Sequence, residues 1–492
     1  MYIRSTIFLV KKYLFITILQ SLVWHVVSQS GWTATIPGIG TFSSPRVSDL
    51  NGDGTDDIVL GAGRLEFQPT DTGVIALDGK TGRMMWHVPS IDQVFGSAIF
   101  QDVDGDGHPD ALISGRSSEL IMISGYTGKV IWRFDTRSKK NKYKRWFNFY
   151  NPQWIPDEDG DGLQDILISN GGDVKVPAYD PHRAPGHILI MSSKTGDVLH
   201  IAEMPDHKEI YMSIMATPLP DHSDYEIIFG TGGETIGGHL YRGLLSQVRN
   251  GDLSGSMMLD STADRGYIGP GARADVNGDG VTDIFINAVN GRMLAYDGAT
   301  YKKLWETKRP ETETYSSIAV GLFNDDTVPD FFASYAMGAW PKLDWSTQFM
   351  SDGRNGKIGF IDSLGFYQNG TAVAVDWDGD GRDEILFSVN FQEIKNGFQK
   401  FFYNMLVLID FKTNEVSQIG DTYDGHNISS TPWVGDLDHD GFVDIIYPHG
   451  TNNRHTYTFD GMQVHRIVTK IPVKKKVKWG SYQGSEYTGI YH

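Results

Sequence analysis

The chain has 492 residues, a formal net charge of −18, 12% aromatic residues, 56 glycines and no cysteine. Such acidity argues against a nucleic-acid partner, and the lack of thiols excludes disulfides, thiolate metal sites and covalent haem attachment. The length suits two or three ordinary domains or one large repeat fold.

In chain order, the first feature is a leader. Arg4, Lys11 and Lys12 precede the mostly apolar stretch 13–27, and Val26 and Ser28 suit the small-residue positions of a cleavage site. The uninterrupted apolar run Tyr13–Leu19 is well short of the ~20 residues a membrane span needs. Residues 1–28 are therefore expected to be a signal peptide, and the mature protein to be secreted, periplasmic or associated with the cell surface. A cysteine-free chain with this leader reads as bacterial, which discounts the glycosylation sequons at Asn369 and Asn427.

Next comes one nine-residue pattern, repeated six times along the chain: Asp-x-(Asp/Asn)-x-Asp-Gly-x-x-(Asp/Glu). Side-chain oxygens stand at positions 1, 3, 5 and 9, and position 7 can offer its carbonyl. The first copy is Asp49, Asn51, Asp53, Thr55 and Asp57; the second is Asp102, Asp104, Asp106, His108 and Asp110. The third and fourth are Asp157, Asp159, Asp161, Leu163 and Asp165, then Asp275, Asn277, Asp279, Val281 and Asp283. The last two are Asp376, Asp378, Asp380, Arg382 and Glu384, then Asp436, Asp438, Asp440, Phe442 and Asp444. Ca²⁺ takes six to eight oxygens, and a Gly at position 6 permits the turn that makes them converge. Without a cation, the three or four carboxylates in each loop would repel one another. About six Ca²⁺ sites are expected, chiefly as clamps that turn binding free energy into folding free energy.

Each loop sits between strand-like runs. In the first unit, 44–48 leads in and Ile58–Leu60 leaves; Val74–Leu77 and Met84–Val88 follow, separated by the turn Asp78-Gly79-Lys80-Thr81-Gly82. The same order returns around Tyr126–Lys129, Lys194–Gly196 and Asp297–Thr300. A unit is thus four antiparallel strands, which matches a propeller blade. Two degenerate units, around Asp221 and Asn324, bring the count to eight. The fold class expected is all-β: a closed β-propeller over residues 29–470, with eight blades and seven as the alternative. Residues 31–36 are expected to pair with the last blade and close the ring, removing open sheet edges.

The motif followed by an apolar strand and Gly, as in Asp57-Ile58-Val59-Leu60-Gly61, resembles the FG-GAP (VCBS) repeats of the integrin-α propeller family. That resemblance implies Ca²⁺ in each intact loop, between the first two strands of a blade. The half-unit ending in Trp86 also resembles quinoprotein-like (PQQ-type) repeats, and implies that this Trp docks between neighbouring blades. Trp132 and Trp305 occupy the same place. The resemblance implies fold and calcium but no single activity, because propellers host many functions.

Outside the repeats stand three aromatic insertions, 137–151, 334–350 and 391–404, and a polar stretch with Lys175, Tyr179, His182, Arg183 and His187. Insertions fall in loops, and loops carry function. No nucleophile elbow, phosphate-binding loop or H-E-x-x-H is present. The leading expectation is a non-catalytic module that binds a protein or glycan through one face. The alternatives are a polysaccharide lyase using the 173–187 stretch and, more remotely, a quinone-dependent oxidoreductase. The basic run Lys470–Lys478 reads as a lysine-protected edge strand, and the tail 471–492 carries no assigned role.

Overall fold

A computed structural model describes residues 31–492 except 117–118, 137–147, 173–175, 367–369 and 456. The leader, most of the first insertion, Lys175 and Asn369 therefore lie outside the described residues. The rest forms eight antiparallel sheets, seven of four strands and one of five. Each sheet is one blade, and its innermost strand is only two to four residues long in most cases, as in Arg46–Ser48, Ile99–Gln101 and Gln153–Ile155. The second strands, such as Asp57–Gly61 and Asp110–Ser114, are buried throughout. Buried on both faces, they read as continuous apolar runs rather than as alternating patterns.

The ring closes as expected. Trp32–Pro37 pairs antiparallel with the third strand of the last blade, Gly461–Pro472, with Trp32 opposite Arg466 and Pro37 opposite Gly461. The first strand of the chain is thus the outer strand of blade 8. Both degenerate units are real blades, with second strands Tyr225–Gly230 and Asp330–Ala339. Blade 4 carries the one described α-helix, Leu245–Arg249, and Arg249 ties it to Glu158 of blade 3 through two 2.7 Å hydrogen bonds.

Tryptophans fasten successive blades. The indole N–H groups of Trp32, Trp86, Trp132 and Trp305 donate to the carbonyls of Gly79, Gly125, Ser193 and Gly353 in the next blade, at 2.7–2.8 Å. Each ring lies against the second glycine of the same turn. A Cβ on Gly82, Gly128, Gly196 or Gly356 would stand only 2.4–2.6 Å from an indole atom or the Trp Cβ. These glycines also have positive φ, 69–74°, so the turn needs glycine for two independent reasons. The inter-blade role expected for Trp86, Trp132 and Trp305 is what the structure contains, and Trp32 joins them.

The joint between blades 4 and 5 has no tryptophan. Glu226, buried in blade 4, instead accepts from Arg242 at 2.9 Å and from the Tyr301 hydroxyl at 2.6 Å, and pairs with Arg273 of blade 5.

The C-terminal tail corrects the sequence reading. The segment 473–478 is not an edge strand; it crosses the face that carries the acidic loops, where Lys474 donates to the Gly379 carbonyl at 3.0 Å. The chain then enters the axial channel. Trp479 is fully buried, and its carbonyl accepts from Ala374 N–H at 2.9 Å, while Gly480 accepts from Val434 N–H at 2.7 Å. Gly489 accepts from Arg273 N–H at 2.8 Å, and Tyr487 lies 3.7 Å beneath the guanidinium of Arg46. The tail therefore bonds innermost strands of blades 5, 7 and 8 and covers a buried arginine of blade 1. Sequence periodicity could not show this, because the tail uses isolated bridges rather than a strand.

Replacing Trp479 with Ala is expected to destabilise the protein by about 3–5 kcal/mol, the usual cost of emptying a buried aromatic site. Chemical unfolding of the full chain measures it.

Candidate functional site

The two faces of the ring differ in chemistry. All six intact Asp loops join first to second strands, so they lie together on the face that the tail crosses. Their internal bonding is uniform. The N–H of the position-6 glycine donates to the position-1 acid: Gly54 to Asp49, Gly107 to Asp102, Gly162 to Asp157, Gly280 to Asp275, Gly381 to Asp376 and Gly441 to Asp436, at 2.9–3.2 Å. These glycines have φ of 83–97°, the left-handed region that disfavours other residues. Position-7 N–H groups, on Thr55, His108, Leu163, Val281, Arg382 and Phe442, donate to the position-5 acids Asp53, Asp106, Asp161, Asp279, Asp380 and Asp440 at 2.8–3.0 Å.

The position-9 acid has a second task. Asp57, Asp110, Asp165 and Asp283 accept from the position-2 N–H with one oxygen. With the other they accept from the turn between third and fourth strands, at Gly79, Gly125, Ser193 and Gly298. The degenerate loop keeps this acid as Asp330, bonded to Phe323 and Gly353 N–H. Its persistence there is explained by the tie between turns, independent of metal.

The donor sets fit a hard cation in four loops. Carboxylate oxygens of Asp102/Asp104/Asp110, Asp157/Asp159/Asp165, Asp376/Asp378/Glu384 and Asp436/Asp438/Asp444 all approach within 4.8 Å of one another. Two oxygens of one Ca²⁺ sphere are at most about 5 Å apart. Three buried carboxylate oxygens, on Asp161, Asp376 and Asp438, have no hydrogen-bond partner. Burial also pushes Asp57, Asp110 and Asp283 up to about 6 and Glu384 up to about 8. These are acids that a neighbouring cation would relieve.

The other loops differ. Asn51 accepts from Asp53 N–H at 2.9 Å. Asn277 turns its amide Nδ2 toward Asp283 and Asp297, at 3.5 and 3.0 Å, and Asn324 does the same to Asp330 at 3.0 Å. There an amide N–H donates to the position-9 acid. In blade 8, Arg466 reaches into the loop and bonds Asp438 at 2.6 Å and Asp444 at 2.9 Å. The sequence held no signal for this neighbour, which comes from the third strand.

The opposite face carries the connections between second and third strands and between blades. Two hairpins rise there, Asp330–Ala339 with Lys342–Ser351 and Glu384–Lys395 with Gln399–Asp410. Phe398 at the second tip is 77% exposed. The described residues of the three insertions all gather on this face. Those of the 173–187 stretch engage separate partners. Arg183 bonds Glu209 at 3.1 Å and the Tyr211 hydroxyl at 3.3 Å, whereas the Tyr179 hydroxyl reaches the Trp340 carbonyl at 3.5 Å. His187 is half-buried at the start of a strand, with burial lowering its pKa. Between these loops an axial cavity of about 170 Å³ opens, with Tyr482 of the tail in its wall. Asn427 is buried and bonded to Ser430 and Pro448, so that sequon offers no free amide.

Residues 63–251 match the family model described as the FAM234A/B beta-propeller. Two curated proteins are similar to parts of the chain: Protein FAM234B of Gallus gallus, 23% identical over 167 residues, and Protein FAM234A of Homo sapiens, 22% identical over 202 residues. The matched segments cover 32% and 37% of this chain, but only 25% and 36% of those proteins. Among solved structures, quinohemoprotein alcohol dehydrogenase from Comamonas testosteroni aligns with a TM-score of 0.58 at 12% identity, over 89% of this chain and 76% of that one. A europium-containing methanol dehydrogenase aligns with a TM-score of 0.53 at 11% identity, over 89% and 92%. The likeness to these structures is one of fold. The chain is an eight-bladed propeller, and no described helix is long and apolar enough to cross a membrane.

A histidine pair in blade 8 provides a pH test. His449 and His465 lie edge to edge, ring planes 7° apart, with their Nε2 atoms 3.0 Å apart. The Gly450 carbonyl can only accept from His449 Nδ1, so His449 Nε2 accepts from His465 and His465 Nδ1 accepts from Thr33. Burial keeps both rings neutral near pH 7, the state this arrangement requires. Burial holds His449 down to about 4, and burial with the neighbouring His449 holds His465 down to about 3. An unfolded histidine protonates near 6.5, so the unfolded chain gains these protons first as pH falls. Relative to the His449→Gln/His465→Gln double variant, the wild-type melting temperature should fall as pH drops from 7 toward 4, a comparison in which the raised carboxylates common to both cancel. Thermal melts across that range decide it.

Proposed function

We propose that this protein is a calcium-loaded propeller of FG-GAP type, secreted or held at the cell surface, that binds a protein or glycan partner without catalysing a reaction. The observation that carries this reading is the division of labour between the faces. Convergent carboxylates, some with unpartnered buried oxygens, gather on one face, while long aromatic hairpins and a cavity occupy the other. In each all-carboxylate loop the four acids would supply the oxygens, with the position-7 carbonyl adding one. Bound Ca²⁺ would relieve their repulsion and stiffen the turn that anchors the preceding tryptophan.

Exposed sites of this kind bind with Kd on the order of 10⁻⁴–10⁻³ M. At millimolar Ca²⁺ each would then add about 0.4–1.4 kcal/mol to stability. Metal analysis should find calcium in protein purified without chelator, and EGTA should lower the melting temperature by several degrees. The Asp102→Asn/Asp104→Asn variant should lose part of that response. A protein free of calcium and indifferent to EGTA would refute the metal reading.

Partner binding, measured on a glycan array and with candidate extracellular proteins, should be weakened by Phe398→Ser and unaffected by Lys80→Ser on the acidic face. The reverse pattern would place the binding face wrongly.

A further inference from the structure

The axial cavity is built with spare hydrogen-bond donors. Its wall takes a hydroxyl from the start of the innermost strand in several blades, and each hydroxyl accepts from a neighbouring blade. Ser44 Oγ accepts from Thr431 N–H at 3.0 Å, and Ser97 Oγ from Ser44 N–H at 3.2 Å. Ser213 Oγ accepts from Asn151 Nδ2 at 3.0 Å, and Thr371 Oγ1 from Ser317 N–H at 3.0 Å. A hydroxyl carries one hydrogen as well as its lone pairs. Among the described residues, none of these four gives that hydrogen to a protein acceptor. The Tyr150 hydroxyl, also in the wall, is buried beside the Arg116 side chain and makes no well-formed hydrogen bond.

Acceptors are correspondingly spent. Among the described residues, Glu313 is the one carboxylate in the wall. It pairs with Arg265 and accepts from the Tyr315 hydroxyl at 2.5 Å and from Trp340 N–H at 2.8 Å. Among the described residues, no lysine or arginine lines the space. Phe42 and Phe95, edge to face with centroids 4.9 Å apart, add flat apolar wall, and Tyr211 adds more. The occupant that answers such a surface is uncharged, rich in acceptor oxygens, and has an apolar face.

We propose that this cavity binds a single neutral monosaccharide ring, free or at the end of a glycan. Sites for drug-sized ligands are about 300–1,000 Å³, whereas this one is about 170 Å³, so it admits one ring rather than a chain. A longer glycan would leave past Ser429, which is exposed at the rim. The inference rests on the reading of this face as the binding face and names the ligand class it takes.

The test titrates the full chain with a panel of neutral monosaccharides and the matching uronates, using saturation-transfer NMR and calorimetry. A neutral sugar should bind. Tyr150→Phe removes a hydroxyl that makes no well-formed protein hydrogen bond, so it should change the melting temperature little while weakening that sugar by about five- to tenfold. Ser213→Ala, which also removes an inter-blade acceptor, should weaken binding and lower the melting temperature together. Three results would overturn the proposal: preference for uronates, sugar binding unchanged in Tyr150→Phe, or no monosaccharide binding by the wild type. If the last occurs while Phe398→Ser still abolishes a partner, the cavity inference fails and the binding-face reading stands.

Discussion

One residue at each of four blade joints holds much of this ring together. In blades 1, 2, 3 and 6 its N–H is held by the position-9 acid and its carbonyl receives the indole N–H of the preceding blade. An acid at the end of the Asp loop therefore orients the turn on which a tryptophan from another sheet docks. Hydrogen bonds to a charged acceptor are roughly twice as strong as neutral ones, and a buried indole that loses its acceptor leaves an unsatisfied donor. The contact is thus both an anchor and a gauge of blade spacing. Any cation in the loop acts on the same lever, because it settles the charge of the acid that sets the turn.

Where the tryptophan is missing, the joint changes chemistry rather than disappearing. Between blades 4 and 5 the buried Glu226 gathers Arg242, Arg273 and Tyr301. Blade 4 is also the blade whose Asp loop is shortened, and Arg249 of its short helix bonds across to Glu158. Blade 6 keeps the device with an amide in place of ion chemistry: Asn324 donates to Asp330, and Gly353 still receives Trp305.

The tail gives the channel a second kind of closure. A propeller axis is lined by short inner strands whose exposed edges invite solvent or another chain. Here Trp479, Gly480 and Gly489 bond to those strands, and Tyr482 forms part of the cavity wall. One end of the axis is thereby filled from within the chain, and the other end presents hydroxyl groups and aromatic rings.

The blade count, ring closure by residues 32–37 and the tryptophan joints were all legible in the residues, because each is a local pattern repeated at a fixed period. The Asp loops were legible for a related reason: nine consecutive residues contain nearly all of each turn's acids and the N–H groups bonded to them. Three features were not. Arg466 enters the last acidic loop from a strand 22 residues beyond Asp444, the tail threads the axis through isolated bridges, and the cavity assembles single hydroxyls contributed by several blades. A periodic sequence specifies which units form and how neighbours join, since those contacts recur in every repeat. What lies on the axis occurs once per molecule, has no period to betray it, and was decided only when the ring closed.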